Sequence, residues 1–137
     1  ILARLLVLNR TVHKAVLGGM GADFTNPEWP RRKMFYEALS GKPVPELAAM
    51  VSNVKKQGLD TMVLAWLQKY QPATEPQDLK KLKQEVLVIS GDQDEDCGSP
   101  LLLSQMFPHG KLVLVPGVHN TASQSEAFSK AVIDFLK

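Results

Sequence analysis

The sequence predicts an α/β protein: a parallel sheet of about three short strands, helices on its faces, and a long helical insertion. Three observations carry this prediction. Val86-Leu87-Val88-Ile89 and Leu112-Val113-Leu114-Val115 are continuous apolar runs, the pattern of strands buried on both faces of a parallel sheet. Between and after them, Leu102, Leu103, Met106, Phe107 and then Phe128, Ala131, Val132, Phe135, Leu136 recur at helical spacing, so strand alternates with helix. From Asn26 to Lys83 the apolar spacing is helical throughout. A chain of 137 residues is about one domain's worth, and 45% apolar with 22% charged residues is a globular rather than a disordered composition.

The elements follow in order. Ile1, Leu2, Leu5, Leu6 and Leu8 have helical spacing that ends near Asn9. Lys14–Leu17 is a short strand running into the flexible loop Gly18-Gly19-Met20-Gly21. Asn26-Pro27 offers a cap followed by proline at the first helical position, and Phe35, Ala38 and Leu39 fall on one face of the helix it would open. Ser40-Gly41-Lys42-Pro43 breaks that helix. Leu47, Val51 and Val54 face a second, which lasts to Gly58, and Leu59, Met62, Val63, Trp66, Leu67 and Tyr70 form the stripe of a third. Gln71–Pro76 is a linker, and a short helix around Leu79 and Leu82 precedes the strand at Val86. Ser99-Pro100 pairs a capping side chain with proline at the start of the helix carrying Leu103. Residues 1–25 and 84–137 are thus expected to form the sheet-bearing core, and 26–83 a helical stretch inserted in it.

Several functions are disfavoured at once. Sixteen Lys and Arg against fourteen Asp and Glu give a net charge of +2, too even for a nucleic-acid or membrane-surface binder. The single cysteine, Cys97, excludes an internal disulfide framework and a multi-cysteine metal site, and no pattern around it supports a nucleophile. No apolar run approaches the roughly 18 residues of a membrane span, and Ile1–Leu8 lacks the features of a leader. These features point to a cytoplasmic protein. The chain opens inside an apolar helical pattern, with no helix start signal and no initiating Met, as a fragment would.

Ligand sites in open parallel sheets gather beyond the carboxyl ends of the strands. His13 and His109 precede strands, and only His119 follows one, in Val115-Pro116-Gly117-Val118-His119. The acids Asp92, Asp94, Glu95 and Asp96 also follow a strand, one crossover earlier, so the two loops should be neighbours. A carboxylate beside a histidine fixes its tautomer and stabilises its protonated form, as a general base requires. The alternative is that the acids cap the next helix and His119 is a polar loop residue. A calcium loop starting at Asp92 fails, because Cys97 stands where glycine is needed and Leu103 where glutamate is needed. A phosphate loop at Gly19-Met20-Gly21 fails because Phe24 holds the third glycine's position. Arg31-Arg32-Lys33 fits a solvated helix face.

Val86–Ser90 followed by Gly91-x-x-Asp94, a strand ending in Pro116-Gly117-x-His119, and then Phe128–Leu136 resemble the C-terminal half of an α/β-hydrolase-fold protein. Lys14–Gly21 resembles the strand and loop that follow the nucleophile elbow of that fold, and residues 26–83 resemble its lid. The resemblance covers essentially the whole chain. It implies that Asp94 is the acid and His119 the general base of a Ser-Asp-His triad, acting on a small-molecule ester or other acyl bond with no organic cofactor and no metal. Under it Met20, Phe35, Met62 and Trp66, with Trp29, are candidates for substrate contact beneath the lid; for Trp29, Phe35, Met62 and Trp66 helical spacing favours ordinary packing within the lid. Two features depart from the family. Val118 precedes the histidine where the family usually has glycine, and no serine lies in a G-x-S-x-G context. The nucleophile and oxyanion loop would therefore belong to an N-terminal half upstream of residue 1, and the chain alone would be inactive. A non-catalytic binding or interaction module of the same fold is the alternative.

Overall fold

The computed structural model describes residues 1–137, which separate into two compact units, 1–27 with 73–137 and 28–72. The first is the α/β unit. Helix α1 (Leu2–Leu8) leads into strand β1 (Lys14–Gly18), and a 3-10 turn follows at Ala22–Thr25. After the helical unit the chain returns through the single turn α5 (Pro76–Leu79) to β2 (Glu85–Gly91), α6 (Pro100–Gln105), β3 (Gly110–Val115) and α7 (Glu126–Leu136). The three strands lie in the order β1-β2-β3, all parallel, with Lys14 opposite Glu85 and Val86 opposite Gly110.

Central β2 is the most apolar stretch because both of its faces are covered. Val86 and Val88 point into one core with Ala3, Leu6, Ala15, Leu17, Leu79, Leu82, Leu103 and Phe107, contributed by α1, β1, the 76–82 segment, α6 and the turn after it. Leu87 and Ile89 point the other way, joining Val115, Ala122 and the α7 side chains Phe128, Ala131, Val132 and Phe135. This alternation is the two-residue period of a strand. The four residues Val86–Ile89 are each at most 2% exposed, and burying each side chain contributes about 1.5–3 kcal/mol relative to leaving it in water.

The structure departs from the sequence expectations at several places. β3 is an edge strand rather than one buried on both faces: Val115 is buried, but Leu114 is 52% exposed. Leu102 and Leu136 are likewise exposed, since α6 turns Leu103 inward, with Phe107 following from the turn after it, and α7 turns Phe128, Val132 and Phe135. In α1 the inward residues are Ala3 and Leu6, and Leu5 and Leu8 face out. Residues 73–83 were expected in the helical stretch, yet Leu79 and Leu82 are buried in the core around β2, so this segment belongs to the α/β unit.

The helical unit contains α2 (Pro30–Leu39), α3 (Ala48–Lys56) and α4 (Thr61–Tyr70). The first does not begin at Pro27. Proline disfavours helical geometry in the residue before it; Trp29, at ψ 116°, is held out of the helix by Pro30, which takes the first helical position. Asp60 caps α4 by accepting from the Met62 and Val63 N–H groups. The inward face of α4 is centred on Ala65, fully buried, with Thr61, Leu64 and Gln68 half-buried beside it. The small alanine lets α4 approach α2 closely, and the stripe expected to form the core, Leu59, Met62, Val63, Trp66, Leu67 and Tyr70, is 42–70% exposed. Arg32 is not part of a solvated face: its Nε and Nη2 atoms are buried without a hydrogen-bond partner, and burial holds its guanidinium below the ordinary arginine range.

Candidate active site

Parallel pairing brings the carboxyl ends of β2 and β3 side by side, and the loops leaving them are joined by hydrogen bonds. The Asp92 N–H donates to Val115 C=O at 2.8 Å, the Gln93 N–H to Gly117 C=O at 3.1 Å, and the Gly117 N–H back to Asp92 Oδ1 at 3.0 Å. Gly91 permits this approach: a Cβ there would lie 2.1 Å from the Gly117 carbonyl oxygen. His119 sits in a tight turn in which the Val118 N–H donates to Thr121 Oγ1 and the Thr121 and Ala122 N–H groups donate to Val118 C=O.

These two loops bring Asp94 and His119 together, with 3.0 Å between Asp94 Oδ2 and His119 Nδ1. The Asp94 side chain is 3% exposed and that of His119 34% exposed, so the acid is enclosed and the imidazole reaches solvent. Asp94 Oδ1 accepts from the Asp96 N–H at 3.0 Å, and Oδ2 also accepts from Ser90 Oγ at 3.2 Å. Burial by itself pushes the Asp94 carboxyl upward; the Asp96 N–H, the hydrogen bond and positive charge of His119, and the Ser90 hydroxyl outweigh it and hold the carboxyl below its ordinary value. An ionised carboxylate only accepts, so Nδ1 carries the proton and Nε2 is left with its lone pair, as a general base needs.

The neighbouring acids are placed differently. Asp92 binds the Gly117 backbone rather than the imidazole, and no group of three or more His, Cys, Asp or Glu side chains is arranged to hold a metal ion. His13 and His109 lie at the amino ends of the strands, their carbonyls accepting from the Glu85 and Val86 N–H groups. A cavity of about 150 Å³ lined by Arg10, Val12, His13, Leu82 and Gln84 lies at that same far end. Met20 packs half-buried against the core of the α/β unit. Phe35, Met62 and Trp66 belong to the helical unit, where Phe35 lies under the Arg31 guanidinium and Trp66 stacks on Tyr70 at 5.5 Å.

Two contributors were not identified from the sequence as site residues. Ser90 donates to the acid, and its position four residues before Asp94 on a strand end was the available signal. Gly19, at φ +61°, lies against the imidazole: a Cβ there would be 3.2 Å from His119 Cε1. The Gly18-Gly19 pair marked a tight loop but not its neighbour, 100 residues away in sequence.

No family model and no curated protein sequence matches the chain. Among solved structures it is similar to the enol-lactonase from Burkholderia xenovorans, at 16% identity and a TM-score of 0.64 over 98% of this chain and 60% of that one. A hydrolase from Pseudomonas aeruginosa is similar at 18% identity and TM-score 0.66, over 98% and 59%. The 2-hydroxy-6-oxo-6-phenylhexa-2,4-dienoate hydrolase of a Rhodococcus species is similar at 17% identity and TM-score 0.57, over 98% and 59%. The chain thus spans about 60% of the length of these proteins. With three parallel strands and their flanking helices, it has the fold of the carboxyl-terminal part of an α/β-hydrolase.

Proposed function

We propose that this chain supplies the acid and base of a serine hydrolase that transfers an acyl group from a small-molecule ester or related substrate to water. The observation carrying the reading is the 3.0 Å contact between the enclosed Asp94 carboxylate and His119 Nδ1 at the carboxyl ends of adjacent parallel strands. A serine upstream of residue 1 attacks the acyl carbon while His119 Nε2 takes its proton; the imidazolium formed is stabilised by Asp94 and then protonates the leaving group. Water repeats the sequence to release the acid. The names of the similar structures, a lactonase and two hydrolases, agree with this chemistry. A substrate contact by Met20, on the loop that leaves β1, belongs to the same proposal, and its replacement by alanine is expected to raise KM more than it lowers kcat.

The test is turnover of short p-nitrophenyl esters by the complete protein. His119→Ala is expected to lower kcat on the order of 10⁴- to 10⁶-fold, because the serine loses its base. A variant turning over at the native rate would rule the mechanism out. Val118, where the family usually has glycine, favours a second reading, a non-catalytic member of the fold serving as a binding module. Native protein without hydrolytic activity on any ester or lactone would support that reading instead.

A further inference from the structure

We infer that Ser90 is a positioning residue, whose hydroxyl fixes the rotation of the Asp94 carboxylate so that Oδ2 addresses His119. The inference rests on the hydrolase reading above and extends it to the shell behind the acid. Ser90 is 3% exposed and lies next to last in β2, the central strand, opposite Leu114 of β3. A hydroxyl taken out of water needs a hydrogen-bond partner, and this one donates to Asp94 Oδ2 at 3.2 Å.

The carboxylate turns about one bond, and the Asp96 N–H holds only Oδ1. With that contact alone the plane can rock and carry Oδ2 away from Nδ1. Ser90 supplies the second anchor, on the same oxygen that meets His119. The anchor itself is rigid, because β2 is paired on both sides, whereas Asp96 lies in the loop. Ser90 is also unsuited to act as a nucleophile, since its hydroxyl adjoins the oxygen facing Nδ1 rather than the base nitrogen Nε2. The other charged groups of this corner are Asp92, Glu95 and Asp96 in the same loop and Asp23, whose carboxyl packs against Gly98.

The experiment compares Ser90→Ala and Ser90→Cys with the native complete protein. Cysteine fills the site with a somewhat larger group that donates poorly, so it decides the matter should the alanine variant fail to fold. Both are expected to lower kcat about ten-fold to a hundred-fold with KM unchanged, the loss that accompanies one missing hydrogen bond to a charged group. Both are also expected to move the Asp94 carboxyl-carbon NMR titration upward, because a donor to the ionised form has gone. Native kcat in the variants overturns the inference. So does a lowered kcat with the Asp94 titration unmoved, which is what a merely structural serine would give. Failure of the hydrolase reading shows separately, as a His119→Ala protein with native turnover.

Discussion

At the Asp94 carboxylate two opposing effects meet. Enclosure disfavours its charge, and three donors, the Asp96 N–H, the His119 imidazole and the Ser90 hydroxyl, favour it and prevail. Because the folded carboxyl titrates below the ordinary value of 3.8, ionised Asp94 contributes its full stability above that pH. The contribution is lost as the pH falls through the lower folded value. The difference in Tm between native protein and Asp94→Asn is therefore expected to be widest near neutrality and to close below pH 3.8. A difference that stays constant to strongly acid pH would show that the folded protein does not favour the ionised form. The same variant is expected to lower kcat on the order of 10⁴-fold, since an amide donor opposite Nδ1 selects the wrong tautomer.

At the scale of elements, the loops matter more than the regular structure, and Gly19 separates two effects cleanly. Gly19 and Gly58 share left-handed backbone, φ +61° and +70°, but only Gly19 has the imidazole against it; nothing lies within 4 Å of a Cβ at Gly58. Alanine at either position should cost about 1–2 kcal/mol of stability for left-handed backbone. Only Gly19→Ala is expected to lower kcat, by pushing the ring off Asp94. Equal activity in the two variants would show that the imidazole has room to retreat. This contrast also marks what was legible in the sequence. Val86–Ile89, Ser99-Pro100 and the places of the 92–96 acids and His119 after strands carry local signals, so strand, cap and pairing of loops could be read directly. The choice of Asp94 among the acids came from the resemblance. The α4 stripe could not be read, because periodicity reports two apolar faces' existence but not which one a neighbour covers. Ala65 won the inward position through its small size, leaving Trp66 and Met62 outside. Gly19 likewise depends on a contact with a distant segment that no local pattern encodes, whereas Ser90 has its signal four residues from Asp94 and gains meaning only once that acid is placed.

At the scale of the whole molecule, the apolar surface is distributed as though some of it had a partner. Ile1, Leu5 and Leu8 form one face of α1 and are 74%, 45% and 70% exposed. β1 has β2 on one side only, leaving the other edge of Lys14–Gly18 without strand pairing. An unpaired strand edge beside an exposed apolar helix face favours association between chains. Residues 1–137 by themselves are accordingly expected to form concentration-dependent oligomers and, under the proposed mechanism with its serine upstream of residue 1, to hydrolyse no ester. Under the same proposal, an amino-terminal segment joined ahead of residue 1 should suppress association if it covers α1 and pairs β1, and should restore turnover. Sedimentation velocity over a range of concentrations, with thermal unfolding on the same samples, reads the first expectation. A single monomeric boundary with a sharp cooperative transition at every concentration would show that these faces need no partner, and that the sheet of three strands is sufficient for a stable domain.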